Sequence, residues 1–195
     1  MLNIALSYIV NELNNYLPSL DGSPQVVMGN IAFMENEEQS EFLRNRVVVS
    51  LVNIEEETTL KNGKNFQQEG LKTKYVNRPV YLNLYILISA NYLGSAQMYG
   101  QVLSSLSTVI EYFQNHKVIS HLNSGIIDDD DDMEELELSM ELFALSFEQV
   151  NYVWGSLGGK QVPSVLYKGR LVAIKADSAI GEGGVIKQII IEDEV

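Results

Sequence analysis

Four stretches of this chain carry residue types whose spacing could do chemistry. Gly155-Ser156-Leu157-Gly158-Gly159-Lys160-Gln161 has the glycines and the lysine of a phosphate-cradling loop. Such a loop needs four residues between its first glycine and the Gly-Lys pair, then Ser or Thr to hold magnesium. Here three residues intervene and Gln161 stands in place of the hydroxyl. The stretch also follows a helical pattern, whereas a phosphate loop leads from a strand into a helix. It therefore reads as a helix stop, with Gly158-Gly159 free to turn the chain. Asp128 to Asp132 is a run of five carboxylates, which hard cations favour. A calcium loop begun at Asp128 would need glycine at its sixth position and glutamate at its twelfth. Met133 and Ser139 occupy those places, so the run reads as a solvated acidic loop.

His116 and His121 stand near the end of a helical pattern, off the one-turn spacing of a two-histidine metal face. They read as ordinary helix-end residues. Ser156 lacks the flanking glycine pattern of a nucleophile elbow, with Trp154 in place of the first glycine, and no strand precedes it. With two histidines and no cysteine, the inventory for acid–base or covalent catalysis is thin. The expectation is a protein that is not an enzyme, with no cofactor and no metal.

The elements that would position these residues follow from periodicity. Leu2 to Leu17 carries Ile4, Ala5, Tyr8, Ile9, Leu13 and Tyr16 on one helical stripe, and Pro18 stops it. Asp21-Gly22 marks a turn. Val26 to Phe33 reads as a strand and Met34 to Asn45 as an exposed loop. Arg46 to Glu57 is a strand rich in β-branched residues, followed by a polar loop at Lys61 to Asn65. Pro79 to Ala90 alternates with both faces largely apolar, which places it centrally, covered on both sides. Ser95 to Gln114 is the strongest helix, with Ala96, Tyr99, Val102, Leu103, Leu106, Val109, Ile110 and Phe113 on its packing face.

Glu135 to Phe143 alternates Leu136, Leu138, Met140 and Leu142 with polar residues, giving a strand with one wet face. Ser146 with Gln149 is a capping box for a helix whose apolar face is Val150, Val153, Trp154 and Leu157. Val162 to Ala176 is a long strand, and Gly181 to Gly184 turns into a last strand, Val185 to Ile191. No internal repeat is visible. The order predicts an α+β fold: a single domain with a mixed or antiparallel sheet and helices packed on it. Residues 1–176 form that domain and 177–195 a C-terminal extension ending in the last strand.

The chain has 195 residues, 46% of them apolar and 20% charged, the composition of a globular domain and not of a disordered one. That length buries enough surface to fold without disulfide or metal. The N-terminus lacks the basic and apolar regions of a signal peptide, and no apolar run is long enough for a membrane span. Synthesis and folding in the cytoplasm are expected. The net charge of −13 repels phosphate backbones and anionic lipid, which argues against nucleic acid and membrane as partners. The acidity serves solubility or matches a basic partner surface, and charge alone does not separate the two.

Three segments together resemble a known family. They are Ser50 to Glu57, Pro79 to Leu87, and Trp154 to Lys168. Leu13 to Leu17 and Gly29-Asn30-Ile31 fit beside them. In this order they are similar to the terminator and cap proteins of extracellular contractile injection systems, the class of the antifeeding prophage and the virulence cassettes. The likeness spans about residues 1–175. Some relatives carry a further C-terminal domain, for which this chain leaves no room.

The resemblance implies a tail-terminator-like subunit that forms a six-fold ring on the last layer of tube and sheath. It would end polymerisation and link the two cylinders in a particle assembled in the cytoplasm and released from the cell. The implied partners are further copies of the chain in a homo-hexamer, the inner tube protein, the sheath protein and a second cap paralogue. A sheath arm can join such a protein by adding a strand to an open sheet edge; which strand forms that edge is not readable from sequence. The interface candidates are Asn53, Glu55, Glu56, Glu57, Trp154, Gly158, Gly159, Lys160 and Pro163. Each also has a plain structural reading: an acidic strand end, a core tryptophan, a turn. The rival readings are a terminator or adaptor of a contractile phage tail and a nucleotide-binding regulatory enzyme.

Overall fold

The computed structural model describes residues 2–17, 25–36, 38, 40–57, 66–69, 72–76, 80–92, 96–120, 137–174 and 179–184. They form two compact units, one from residues 1–55 with 82–172 and the other from 56–81 with 173–195.

The first unit is built on a six-stranded sheet. Its strands are β1 (Val26–Met28), β2 (Arg46–Glu56), β5 (Val80–Asn91), β6 (Val118–Ser120), β7 (Glu137–Leu142) and β8 (Ser164–Ile174). Their order is β1-β2-β5-β8-β7-β6. β1 runs parallel to β2, while β7 is antiparallel to both β6 and β8, so the sheet is mixed. β5 lies inside it, as its two apolar faces require: Leu84, Ile86, Leu87 and Ile88 are all buried. The helices are α1 (Leu2–Tyr16), α2 (Ser40–Leu43), α3 (Ala96–Asn115) and α4 (Phe147–Ser156). The fold is α+β, as the alternation of helical and strand periods predicts.

The stripe on α1 buries Ala5, Tyr8, Ile9 and Leu13. The stripe on α3 buries Val102, Leu106, Val109 and Phe113. Leu106 and Val102 pack with Ala90 of β5, so this helix does cover the central strand. A second cluster joins Trp154 of α4 to Val48, Leu87 and Leu166 of three neighbouring strands. Each large side chain buried this way contributes about 1.5–3 kcal/mol before entropy is subtracted.

Several expectations need correction. Val26 to Phe33 is not one strand: β1 stops at Met28 and a 3₁₀ turn spans Ile31–Phe33. Asn30 caps that turn by accepting the Ala32 N–H, and the Ser50 hydroxyl accepts the Ile31 N–H while donating to the Gly29 carbonyl. These side-chain bonds outcompete a ladder. The stretch from Met34 to Asn45 contains α2, and β6 is a short edge strand that periodicity could not reveal. Tyr99, Leu103 and Leu142, placed on packing faces, are about half exposed.

The second unit holds β3 (Phe66–Glu69), β4 (Lys72–Val76) and β9 (Ala179–Gly184) in the order β3-β4-β9, with antiparallel pairing throughout. Gly181 to Gly184 is thus strand and not turn, since Gly181, Gly183 and Gly184 pair with Tyr75, Thr73 and Lys72. Glycine weakens a strand but does not forbid one when a partner strand supplies the ladder. The proposed strand Val185 to Ile191, the loop Lys61 to Asn65, the turn at Asp21-Gly22, Pro18 and Leu136 lie outside the described residues.

Candidate interaction surfaces

The glycine loop is the end of α4. The capping box starts that helix: Ser146 Oγ accepts the Gln149 N–H and Gln149 Oε1 accepts the Ser146 N–H at 2.9 Å. At the other end the Gly159 N–H donates to the Trp154 carbonyl at 2.7 Å. Gly158 and Gly159 have φ of 100° and 83°, the left-handed backbone that glycine adopts at little cost. Lys160 forms an ion pair with Glu35. This geometry turns the chain off a helix and presents no helix N-terminus to a phosphate. Pro163 donates nothing, and its carbonyl accepts the Ala90 N–H at 3.0 Å. Trp154 is buried in the core cluster, the plain reading of that residue.

The acidic strand end is built differently. Asn53, Glu55 and Glu56 are exposed at the end of β2, and Glu57 is half-buried. The Tyr85 hydroxyl donates to Glu55 Oε2 at 2.8 Å, and Asn53 Nδ2 reaches Glu55 Oε1 at 3.5 Å. The Asn53 side chain also accepts the Ile54 N–H. In the second unit the Glu57 N–H donates to the Tyr81 carbonyl at 2.8 Å. Asn53 and Glu55 are thus brought together, and Trp154 is tied to Gly159 through the backbone. Trp154 and Pro163 also line one groove.

Sequence reasoning missed that groove. It has a volume of about 450 Å³ and lies between α3, α4 and the chain leaving β7, with Leu103, Leu142 and Leu145 in its walls. Its signal was an α3 stripe broader than one sheet face can cover, which leaves the Tyr99–Leu103 flank exposed. The aromatic group around Tyr112 was missed as well. His116 stacks on the Tyr112 ring at 4.6 Å, and Tyr16 tilts against it at 5.2 Å. His116 Nδ1 lies 3.1 Å from the Tyr112 carbonyl, a helix-end contact and not a metal face. His121 and Asp128 to Asp132 lie outside the described residues. Among the described residues no three His, Cys, Asp or Glu side chains cluster to hold a metal ion. No helix among them is long and apolar enough to cross a membrane.

Two phenols depart from their ordinary acidity. Burial raises Tyr112 above the usual tyrosine range, helped by its hydrogen bond to Glu12 and by that carboxylate's charge. Burial pushes Tyr167 up to about 12. Both are neutral at ordinary pH, and neither is activated as a nucleophile or base.

The family described as the Pvc16 N-terminal domain matches residues 6–188. The chain belongs to that family. The fold is shared with two assemblies seen by electron cryo-microscopy. One is the sheath/tube terminator of an extracellular contractile injection system, in the extended state. It superposes with a TM-score of 0.64 at 13% identity, covering 100% of this chain and 64% of that one. The other is the tube-terminating cap of the antifeeding prophage, with a TM-score of 0.66 at 14% identity, covering 99% of this chain and 62% of that one. This Pvc16-family chain therefore spans less than two thirds of the length of either. No curated protein matches it in sequence.

Proposed function

We propose that this chain is a structural terminator subunit of a contractile injection particle. Copies of it form a closed six-fold ring on the last layer of tube and sheath. The ring ends polymerisation and ties the two cylinders together, with the inner tube protein and the sheath protein as partners. One observation carries the reading: the fold runs, over essentially the whole chain, with that of a sheath/tube terminator and of a tube-terminating cap. The physical requirements agree with it. A ring of identical subunits needs head-to-tail contacts between two different surfaces. A sheath layer left uncapped exposes its strand-donating arms and its tube-binding faces, which keep accepting subunits or fray. The work is done by surfaces and needs no catalytic group or cofactor.

The test is deletion of the gene followed by electron microscopy of purified particles. Tube and sheath proteins should still be made, but particles should be few, frayed or of uncontrolled length. Normal numbers of capped particles of uniform length would refute the assignment.

A further inference from the structure

Phe147 opens α4 directly after its cap, Ser146, and its side chain is 93% exposed. The helix does not need a ring there. Leu145 and Val150 stand in the two positions of a hydrophobic staple, and both pack on the core cluster around Trp154. Phe147, Val150 and Trp154 are spaced i, i+3 and i+7, so Phe147 carries the apolar stripe of α4 past the end of the core.

The same stripe walls the groove beside α3. Val150 and Trp154 form one side, Leu103 the other, and Leu142 and Leu145 the lip. Its volume of about 450 Å³ is ample for a phenyl ring. Leu103 and Leu142 are 46% and 54% exposed, so the hollow opens to the surface. None of its described lining residues is charged. In a chain of net charge −13 that selects the occupant. A basic partner gains nothing from walls without carboxylates, whereas two equally acidic copies can approach only where neither presents charge. Glu148, next to Phe147, accepts the Tyr152 hydroxyl at 3.0 Å, on the flank of α4 away from the stripe.

An exposed ring and an apolar hollow thus lie side by side on one surface. Knob and hole on the same surface suit a two-fold contact, in which each copy gives the other what it receives. We propose that two copies of this chain pair about a two-fold axis, each seating Phe147 in the groove between α3 and α4 of the other. The pair closes on itself, unlike the head-to-tail contacts of a ring, and it covers an apolar patch that water disfavours. This pairing belongs to the free chain and stands apart from the terminator role.

Light scattering during gel filtration of the free chain, over a dilution series, tests it. The wild type should pass reversibly from one copy to two as concentration rises, and no further. Phe147→Ser removes the knob and Leu142→Asp spoils the hole. Each should weaken pairing at least tenfold while keeping the melting temperature of the dilute wild type, because both side chains are exposed within a single copy. Trp154, the chain's single tryptophan, reports on the groove directly. Its emission should shift as the wild type pairs and stay constant in Phe147→Ser over the same concentrations. A wild type that stays monomeric at its highest soluble concentration, or that grows past two copies, overturns the proposal. Pairing that survives Phe147→Ser or Leu142→Asp places the contact on another surface and overturns it as well.

Discussion

The Tyr112 hydroxyl on α3 donates to Glu12 Oε2 on α1 at 2.8 Å, joining two helices that lie far apart in sequence. The other carboxylate oxygen, Glu12 Oε1, is buried without a hydrogen-bond partner among the described residues. The phenol is thus the carboxylate's main compensation for leaving water. Tyr112→Phe keeps the ring stack and removes only the donor. It should cost about 1–3 kcal/mol, as leaving a partly buried charged acceptor unpaired does. The double variant Glu12→Leu with Tyr112→Phe should recover part of that loss in urea unfolding.

Alkaline pH should weaken the fold through the same phenol and through Tyr167. Both titrate above the ordinary value of 10 when folded, Tyr167 at about 12. Below pH 10 their contribution is fully present. As pH rises from 10 towards 12 the unfolded chain releases protons that the folded chain holds, so stability falls. Urea midpoints measured from about pH 9 to about pH 11.5 should drop for wild type. The drop should be shallower for Tyr167→Phe, and an unchanged slope would contradict the burial of that phenol.

Gly169 on β8 sets how closely the sheet packs. A Cβ there would sit 3.0 Å from Leu138 Cδ1, 3.2 Å from Met140 Sδ and 3.3 Å from Ile86 Cδ1. Three neighbours would have to give at once inside a filled core. Gly169→Ala should therefore cost about 1–3 kcal/mol by overpacking. Leu138→Val alone should destabilise as well, yet beside Gly169→Ala it should make room, so the pair should cost less than the sum. Strict additivity in denaturant unfolding would show that the site has slack.

The capping box on α4 can be read out by the chain's single tryptophan. Ser146→Ala leaves the Gln149 N–H without its acceptor and should cost about 0.5–2 kcal/mol. Because Trp154 is buried on that helix, loosening should red-shift its fluorescence at denaturant concentrations below the main transition. Ser146→Asp should keep the cap and the wild-type emission.

Legibility in the sequence followed the strength of local periodicity. α1, α3, α4 with its capping box, β2, β5 and β8 are each long enough for a stripe or an alternation to show. β6 has three residues and β9 is half glycine, so neither carries a pattern; both exist because a partner strand provides the ladder. The same holds for the outward backbone groups of Val26 on β1, whose partner is Asn14, met across the fold. An asparagine on the flank of an amphipathic helix looks like any solvated residue. Leu142 misled for the opposite reason: its alternation with Leu138 and Met140 is regular, but the strand ends there and leaves its side chain about half exposed.

Charge reversal at the end of β2 tests the acidic triplet as a docking surface. Glu55 and Glu56 are exposed and Glu57 is half-buried, so Glu55→Lys, Glu56→Lys and Glu57→Lys together should cost some stability but leave the isolated protein folded. The Tyr85–Glu55 bond would be lost, but at an exposed site that costs no more than about 1 kcal/mol. A basic tube or sheath surface facing the triplet would meet repulsion where it now meets attraction, and docked like charges cost several kcal/mol. Particles from the charge-reversed strain should then resemble those of the deletion strain under the electron microscope. The corresponding Glu→Gln variants, which keep the shape and remove the charge, should fall between. Raised salt during purification should weaken wild-type capping and leave the Glu→Gln variants less affected, so the gap between them should narrow. Particles of normal length and finish from the charge-reversed strain, beside a defective deletion strain, would remove the triplet from the interface and leave the terminator role to other surfaces of the chain.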